Sequence, residues 1–62
     1  MNSAVVYFDD NGAVVVAVGL TVREAHANIR RRRAANPTGK YAIVFDAGYA
    51  AGDEYVVEGR AA

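Results

Sequence analysis

Four consecutive arginines, Arg30 to Arg33, are the densest group of chemistry-bearing side chains in this sequence. A guanidinium is permanently charged, and its planar fork of donors suits phosphates and carboxylates. In a helix, four successive positions fan through about 300°, so they cannot share one face. Arg33 continues the spacing Val22, Ala25, His26, Ile29 and is read as lying along the core edge with its head in water. Arg30 and Arg31 are read as the outermost, with Arg32 between. Cations at a helix end also favour the macrodipole and the last carbonyls. The positions before the run are His26, Ala27, Asn28 and Ile29, so it has no upstream acid to pair with along the helix. Two readings stay open. The arginines pair within the fold with Asp46, Asp53, Glu54 or Glu58, or Arg30, Arg31 and Arg32 form a basic contact surface for phosphate or an acidic protein.

Other candidates carry less. His26 is expected on the apolar side of the helix, and the sole serine, Ser3, stands far from it in sequence, so no triad is assembled. Asp9-Asp10-Asn11-Gly12 has neither the spacing nor the length of a calcium loop, and a hairpin turn accounts for it. Gly48 to Gly52, GYAAG, lacks the lysine and hydroxyl of a phosphate loop. Tyr7, Tyr41, Tyr49 and Tyr55 suit base stacking or a protein interface, and no RNA-binding signature accompanies them. No catalytic, metal or cofactor site is assigned, and the expectation is a non-enzyme.

These side chains must be held by a very small structure. Sixty-two residues are read as a single domain, 1–62. A chain of that size buries only about 60% of its unfolded surface. Small folds are commonly stapled by disulfides, a metal or a partner chain. Cysteine is absent, which leaves association as the expected staple. Seven basic residues balance seven acidic ones, which argues against a general nucleic-acid binder and leaves room for a local basic patch. Neither a signal peptide nor a membrane span is read from the sequence, and the expected location is cytoplasmic. There are 13 Ala and 10 Val against one Leu, so the apolar half of the sequence suits strands and close packing better than a thick core.

The elements follow from local pattern. AVVYFDDNGAVVVAVG reads as a β-hairpin, with strands over Ala4–Asp10 and Ala13–Val18. Asn11-Gly12 suits a two-residue type I′ turn, which would set Phe8 opposite Val15 and Tyr7 opposite Val16; a type I turn with a glycine bulge would shift that register. Thr21 and Glu24 form a capping box, Leu20 can staple it, and the helix should stop at Asn36 before Pro37. NPTG is a turn. Lys40–Asp46 is a third strand, and Glu54–Glu58 a short fourth with acidic ends. A right-handed crossover then implies an α+β fold, ββαβ(β), with mostly antiparallel strand order 2-1-3-4 and the helix on one face. The run from the hairpin through the T-x-x-E-A helix start resembles the N-terminal part of HicB-type antitoxin domains, and no site residue follows from that resemblance.

One feature of these strands bears on function. A sheet covered on one side should alternate apolar and polar residues, and these strands are apolar on both sides. Exposed apolar patches mark interaction sites. Val5, Tyr7, Val14, Val16, Tyr41, Ile43 and Phe45 are nominated as a self-association face of a homodimer. The alternatives are that Tyr49 and its loop fold back over the open face, or that another protein covers it. The expected function is a small protein-interaction module, a regulator or inhibitor of a larger partner. The alternative is a nucleic-acid-binding protein using the Arg30–Arg33 helix end.

Overall fold

The computed structural model describes residues 2–45 and 48–56. Within them lie β1 (Ser3–Asp9), β2 (Gly12–Leu20), α1 (Val22–Ala35) and β3 (Lys40–Phe45). The three strands form one antiparallel sheet in the order β2-β1-β3. The helix packs on one face of it. This is a small α+β fold, built as the sequence pattern implies.

The local signals act as expected. Thr21 Oγ1 accepts from the Glu24 N–H at 3.1 Å, and Glu24 Oε1 accepts from the Thr21 N–H at 2.9 Å. This reciprocal cap satisfies two N–H groups that the first helical turn leaves without partners, and such caps contribute about 1 kcal/mol. Asn36 closes the helix outside the α region, at φ −141° and ψ 76°, as the residue before a proline favours. The Gly39 N–H then donates to the Asn36 carbonyl at 2.9 Å, which makes Asn36–Gly39 the turn into β3. A Cβ on Gly39 would come within 2.8 Å of the Tyr41 ring, so this position needs glycine for space.

The hairpin differs from the type I′ expectation. Its turn residues are Asp10 and Asn11, with Asp9 opposite Gly12, Phe8 opposite Ala13 and Tyr7 opposite Val14. A type I′ turn needs positive φ at both central residues, and no described non-glycine residue has it. Instead the Asp9 carboxylate accepts from the Asn11 N–H at 2.8 Å, and Gly12 alone takes a positive φ, 137°. The aspartate side chain nucleates the turn one residue early. Further along, β2 holds two more residues than the stretch of β1 it pairs with, giving register shifts opposite Val5. One extra residue is Val16, between Val15, which faces Val6, and Ala17, which faces Val5. The other falls beside Gly19, whose φ of 71° few other residues would adopt.

The second correction concerns the fourth strand. The expected order 2-1-3-4 put it beside β3, but the segment meets β2, on the opposite edge. The Tyr55 N–H donates to the Ala13 carbonyl, the Val15 N–H to Asp53 and the Gly52 N–H to Val15, and Val14 bridges Glu54. A turn over Ala50–Asp53 prepares this. The Asp53 N–H donates to the Ala50 carbonyl at 3.0 Å, Gly52 sits at φ 98°, and the Asp53 carboxylate accepts from the Ala50 N–H at 2.8 Å. The remainder of the expected strand, to Glu58, and the Asp46 end of the third strand lie outside the described residues.

Because the chain returns along β2, both faces of the sheet are covered. On one face Val5 packs with Ala25 and Ile29 of the helix, flanked by Val16, Ala17, Leu20, Tyr41 and Ile43. On the other, Ala4, Val6 and Val15 are wholly buried beneath Phe8, Val44, Tyr49 and Tyr55. The rings meet one another: Phe8 and Tyr55 edge to face at 6.5 Å, and Tyr49 and Tyr55 tilted at 5.7 Å. Tyr49 and its loop therefore close the face that the helix leaves open. Replacing Tyr55 by Ser is expected to lower stability by about 1–2 kcal/mol, roughly half the usual cost of deleting a fully buried ring, because the tyrosine is half-buried. Thermal unfolding measures the loss, and binding of a hydrophobic dye to the folded state should rise.

Candidate functional site

The buried stripe of α1 runs through Ala25 and Ile29. Both belong to the spacing Val22, Ala25, His26, Ile29, Arg33 read from the sequence, and the helix is rotated so that the other three members stand outside the buried stripe. Val22 is 54% exposed, and His26 and Arg33 are exposed. The cause is the small residue Ala25. It lets the helix lie close to the wholly buried Val5, while the larger Val22 and His26 stand clear of the sheet.

The rotation redistributes the four arginines. Arg32 sits one turn beyond the Asn28–Ile29 level and is half-buried. Its Nε donates to Asn28 Oδ1 at 2.6 Å and its Nη2 to the Val16 carbonyl at 3.3 Å. Val16 is the bulge residue of β2, where the regular ladder is interrupted, and the guanidinium supplies a donor there. Arg32 thus ties the helix to the bulge. Of the three arginines nominated as a basic contact surface, it is the one whose donors are engaged inside the fold.

Arg33 is exposed, and its guanidinium carbon lies 6.0 Å from the centre of the Tyr41 ring. Such a contact contributes about 0.5–1 kcal/mol at an exposed site. Tyr41 in turn packs against Tyr7 at 5.2 Å, and Asn36 Nδ2 reaches the Tyr7 hydroxyl at 3.5 Å. The last turn of the helix is therefore seated on a pair of tyrosines by one cation and one amide.

Arg30 and Arg31 are fully outward, as their place in the helical fan predicts. Arg23 joins them on the same outer surface, seven and eight residues earlier, which is two helical turns. The sequence reading missed Arg23 because it stands alone in the chain; helical spacing from Arg30 and Arg31 is the signal that finds it. No ion pair is formed among the described residues. Asp53 is engaged with the Ala50 N–H rather than with an arginine, while Asp46 and Glu58 lie outside the described residues. His26, also exposed, borders this surface one turn from Arg30.

The nominated self-association residues are divided by the fold. Val5, Val16, Tyr41 and Ile43 lie in the layer beneath the helix, and the Tyr7 ring packs tilted against Tyr41. Val14 is half-buried beside Glu54 on the β2 edge. Phe45, 69% exposed, is the one member of the set left open. With Val22 it lines a shallow groove of about 550 Å³ that also includes Val44, Tyr49 and Tyr55. No group of three metal-ligating side chains occurs among the described residues, and no described helix is long and apolar enough to cross a membrane.

Comparison with known proteins found no matching family model, no matching curated protein and no matching solved structure. The division among the arginines can be measured directly. Arg32→Ala is expected to cost about 1–2 kcal/mol in urea unfolding, from two lost, partly solvated hydrogen bonds of the guanidinium and lost stem packing. Arg30→Ala and Arg31→Ala should each stay within about 0.5 kcal/mol of the parent. Equal effects at the three positions would contradict the assignment.

Proposed function

We propose that this chain is a small non-enzymatic interaction module, a regulator or inhibitor of a larger protein, that docks through the outer surface of α1. The observation that supports this is the row of exposed guanidinium groups at Arg23, Arg30 and Arg31, none of which is ion-paired among the described residues. Their neighbour Arg32 shows what an arginine does here when the fold employs it. Arg30 and Arg31 have no such use, and the chemistry that complements them is a surface of carboxylates presented by a folded protein.

Two observations favour a protein partner over nucleic acid. The net charge is zero, and the carboxylates of Asp9, Asp10, Asp53 and Glu54 are exposed at the hairpin turn and along β2, so a polyanion would meet both signs of charge. Aromatic side chains that would stack bases are packed elsewhere: Tyr7 and Tyr41 with each other, and Tyr49 and Tyr55 over the second face.

The test pairs wild type with the double variant Arg30→Glu plus Arg31→Glu in a pull-down, with circular dichroism confirming that both are folded. The variant is expected to lose the proteins that the wild type retains. An unchanged set of retained proteins would remove the basic surface from the proposal. In parallel, the wild type should fail to shift single- or double-stranded DNA or RNA at about 50 mM salt. A shift that weakens steeply with salt would transfer the surface to a nucleic-acid role.

A further inference from the structure

We infer that β3 is the self-association edge of this protein, and that two copies join β3 to β3, antiparallel, about a two-fold axis through Ile43. Self-association read from the sequence alone pointed to a sheet face, and both faces are covered. The edges are a different matter. The outer edge of β2 carries the returning segment at Gly52 to Tyr55 and is broken by bulges. The outer edge of β3 has no partner among the described residues. β3 pairs with β1 in an unbroken register over its whole length. Its sequence, KYAIVF, has strong strand formers, one charge and no proline. Proteins normally blunt such an edge with charge, proline, a bulge or a cover, because its free N–H and C=O groups are a template for another strand.

The hydrogen-bond pattern says which groups are free. Val15 uses both its N–H and its carbonyl on the far side of β2, toward Asp53 and Gly52. Its pairing with Val6 across the β1–β2 ladder is therefore the non-hydrogen-bonded kind, and Val6 turns its own backbone groups toward Ala42 of β3. Groups alternate along a strand, so Ala42 faces β1 and Tyr41, Ile43 and Phe45 face outward. Ala13, two residues from Val15, fits the same alternation, because its carbonyl also points outward, to the Tyr55 N–H.

This alternation restricts how the edge can pair with itself. Two residues opposite each other in an antiparallel ladder either both face the partner strand or both turn away from it. A two-fold pairing must therefore set outward residues against outward residues. Centred on Ile43, each copy's Ile43 meets its counterpart and Tyr41 meets Phe45, so all three outward residues of β3 exchange their backbone bonds. Centred on Ala42, Phe45 would fall opposite Gly39, in the turn. Centred on Tyr41, it would fall opposite Pro37, which has no N–H to give. The Ile43 register alone uses the whole free edge within the strand. It also places Phe45, the most exposed large apolar side chain among the described residues, beside the partner's Tyr41 on the same face of a continuous six-stranded sheet. The occupant of the edge is thus a second copy, because the edge is its own complement.

This inference stands apart from the acidic-partner reading, since it uses none of the arginines. Sedimentation at micromolar concentration should give twice the 6.6 kDa chain mass. A monomer at about 100 μM overturns the inference. Phe45→Lys and Phe45→Pro alter an exposed side chain and an outward N–H, so circular dichroism should be unchanged while the dimer dissociates at least tenfold more readily. A dimer that both variants leave intact overturns the edge. The register is read by cysteine pairing, since the chain has no cysteine of its own. Ala42 and Val44 fall opposite each other as a close, non-hydrogen-bonded pair. Mixing Ala42→Cys copies with Val44→Cys copies should give an oxidised heterodimer in high yield, and neither variant alone should match it. Equal yields with either variant alone overturn the Ile43 register.

Discussion

The structure depends on a single strand being buried from both sides. Ala4, Val5 and Val6 of β1 have no exposed surface, and successive side chains of a strand point to opposite faces. The sheet must then be covered twice, and the described residues hold one helix. Most of its conformation follows from that constraint. The helix is drawn onto Val5 through Ala25 and Ile29, and the remaining residues must bring aromatic rings onto Ala4, Val6 and Val15. Backbone bonds to Ala13 and Val15 hold that second cover in place, which is why the returning segment runs along β2.

Much of this was legible in the residues. The capping box at Thr21 and Glu24, the stop at Asn36-Pro37 and the turn to Gly39 are local, and local chemistry decides them. The double-sided apolar pattern of the strands was also legible, and with it the need for a second cover. Tyr49 and its loop were one of three covers the pattern left open, because a loop of Gly, Tyr and Ala carries no periodicity to aim it. The hairpin register stayed open in the sequence for a different reason. Asn11-Gly12 is a strong turn signal, but Asp9 competes for the same N–H groups, and a carboxylate held 2.8 Å from the Asn11 N–H wins.

The arginine run shows the same division between what spacing conveys and what it leaves out. Spacing alone made Arg30 and Arg31 outward, and they are. It left Arg32 between the surfaces and gave Arg33 to the core edge. The helix is rotated by the small Ala25, so Arg32 takes the inward place and Arg33 rests on Tyr41. A run of identical residues therefore contains three kinds of site: a tether to the β2 bulge, a cation on a ring, and two free charges. Only the free charges are available for a partner, and Arg23, isolated in the sequence, belongs with them.

The two edges of the sheet are treated as unequally as the four arginines. β2 is bulged and carries the returning segment, and β3 is unbroken, with no partner on its outer edge among the described residues. A chain this short has little core to spare, and an edge that accepts a second copy would add one more ladder of hydrogen bonds without adding residues. The geometry of such a pairing also bears on the helix. Strands joined edge to edge across a two-fold axis perpendicular to the sheet keep the same face uppermost in both copies. Both helices would then lie on one side of a six-stranded sheet, with Arg23, Arg30 and Arg31 turned away from it twice over. The edge inferred to pair with a second copy and the surface proposed to meet a partner would not compete. Pairing through β3 would double the basic surface while leaving every one of its guanidinium groups in solvent.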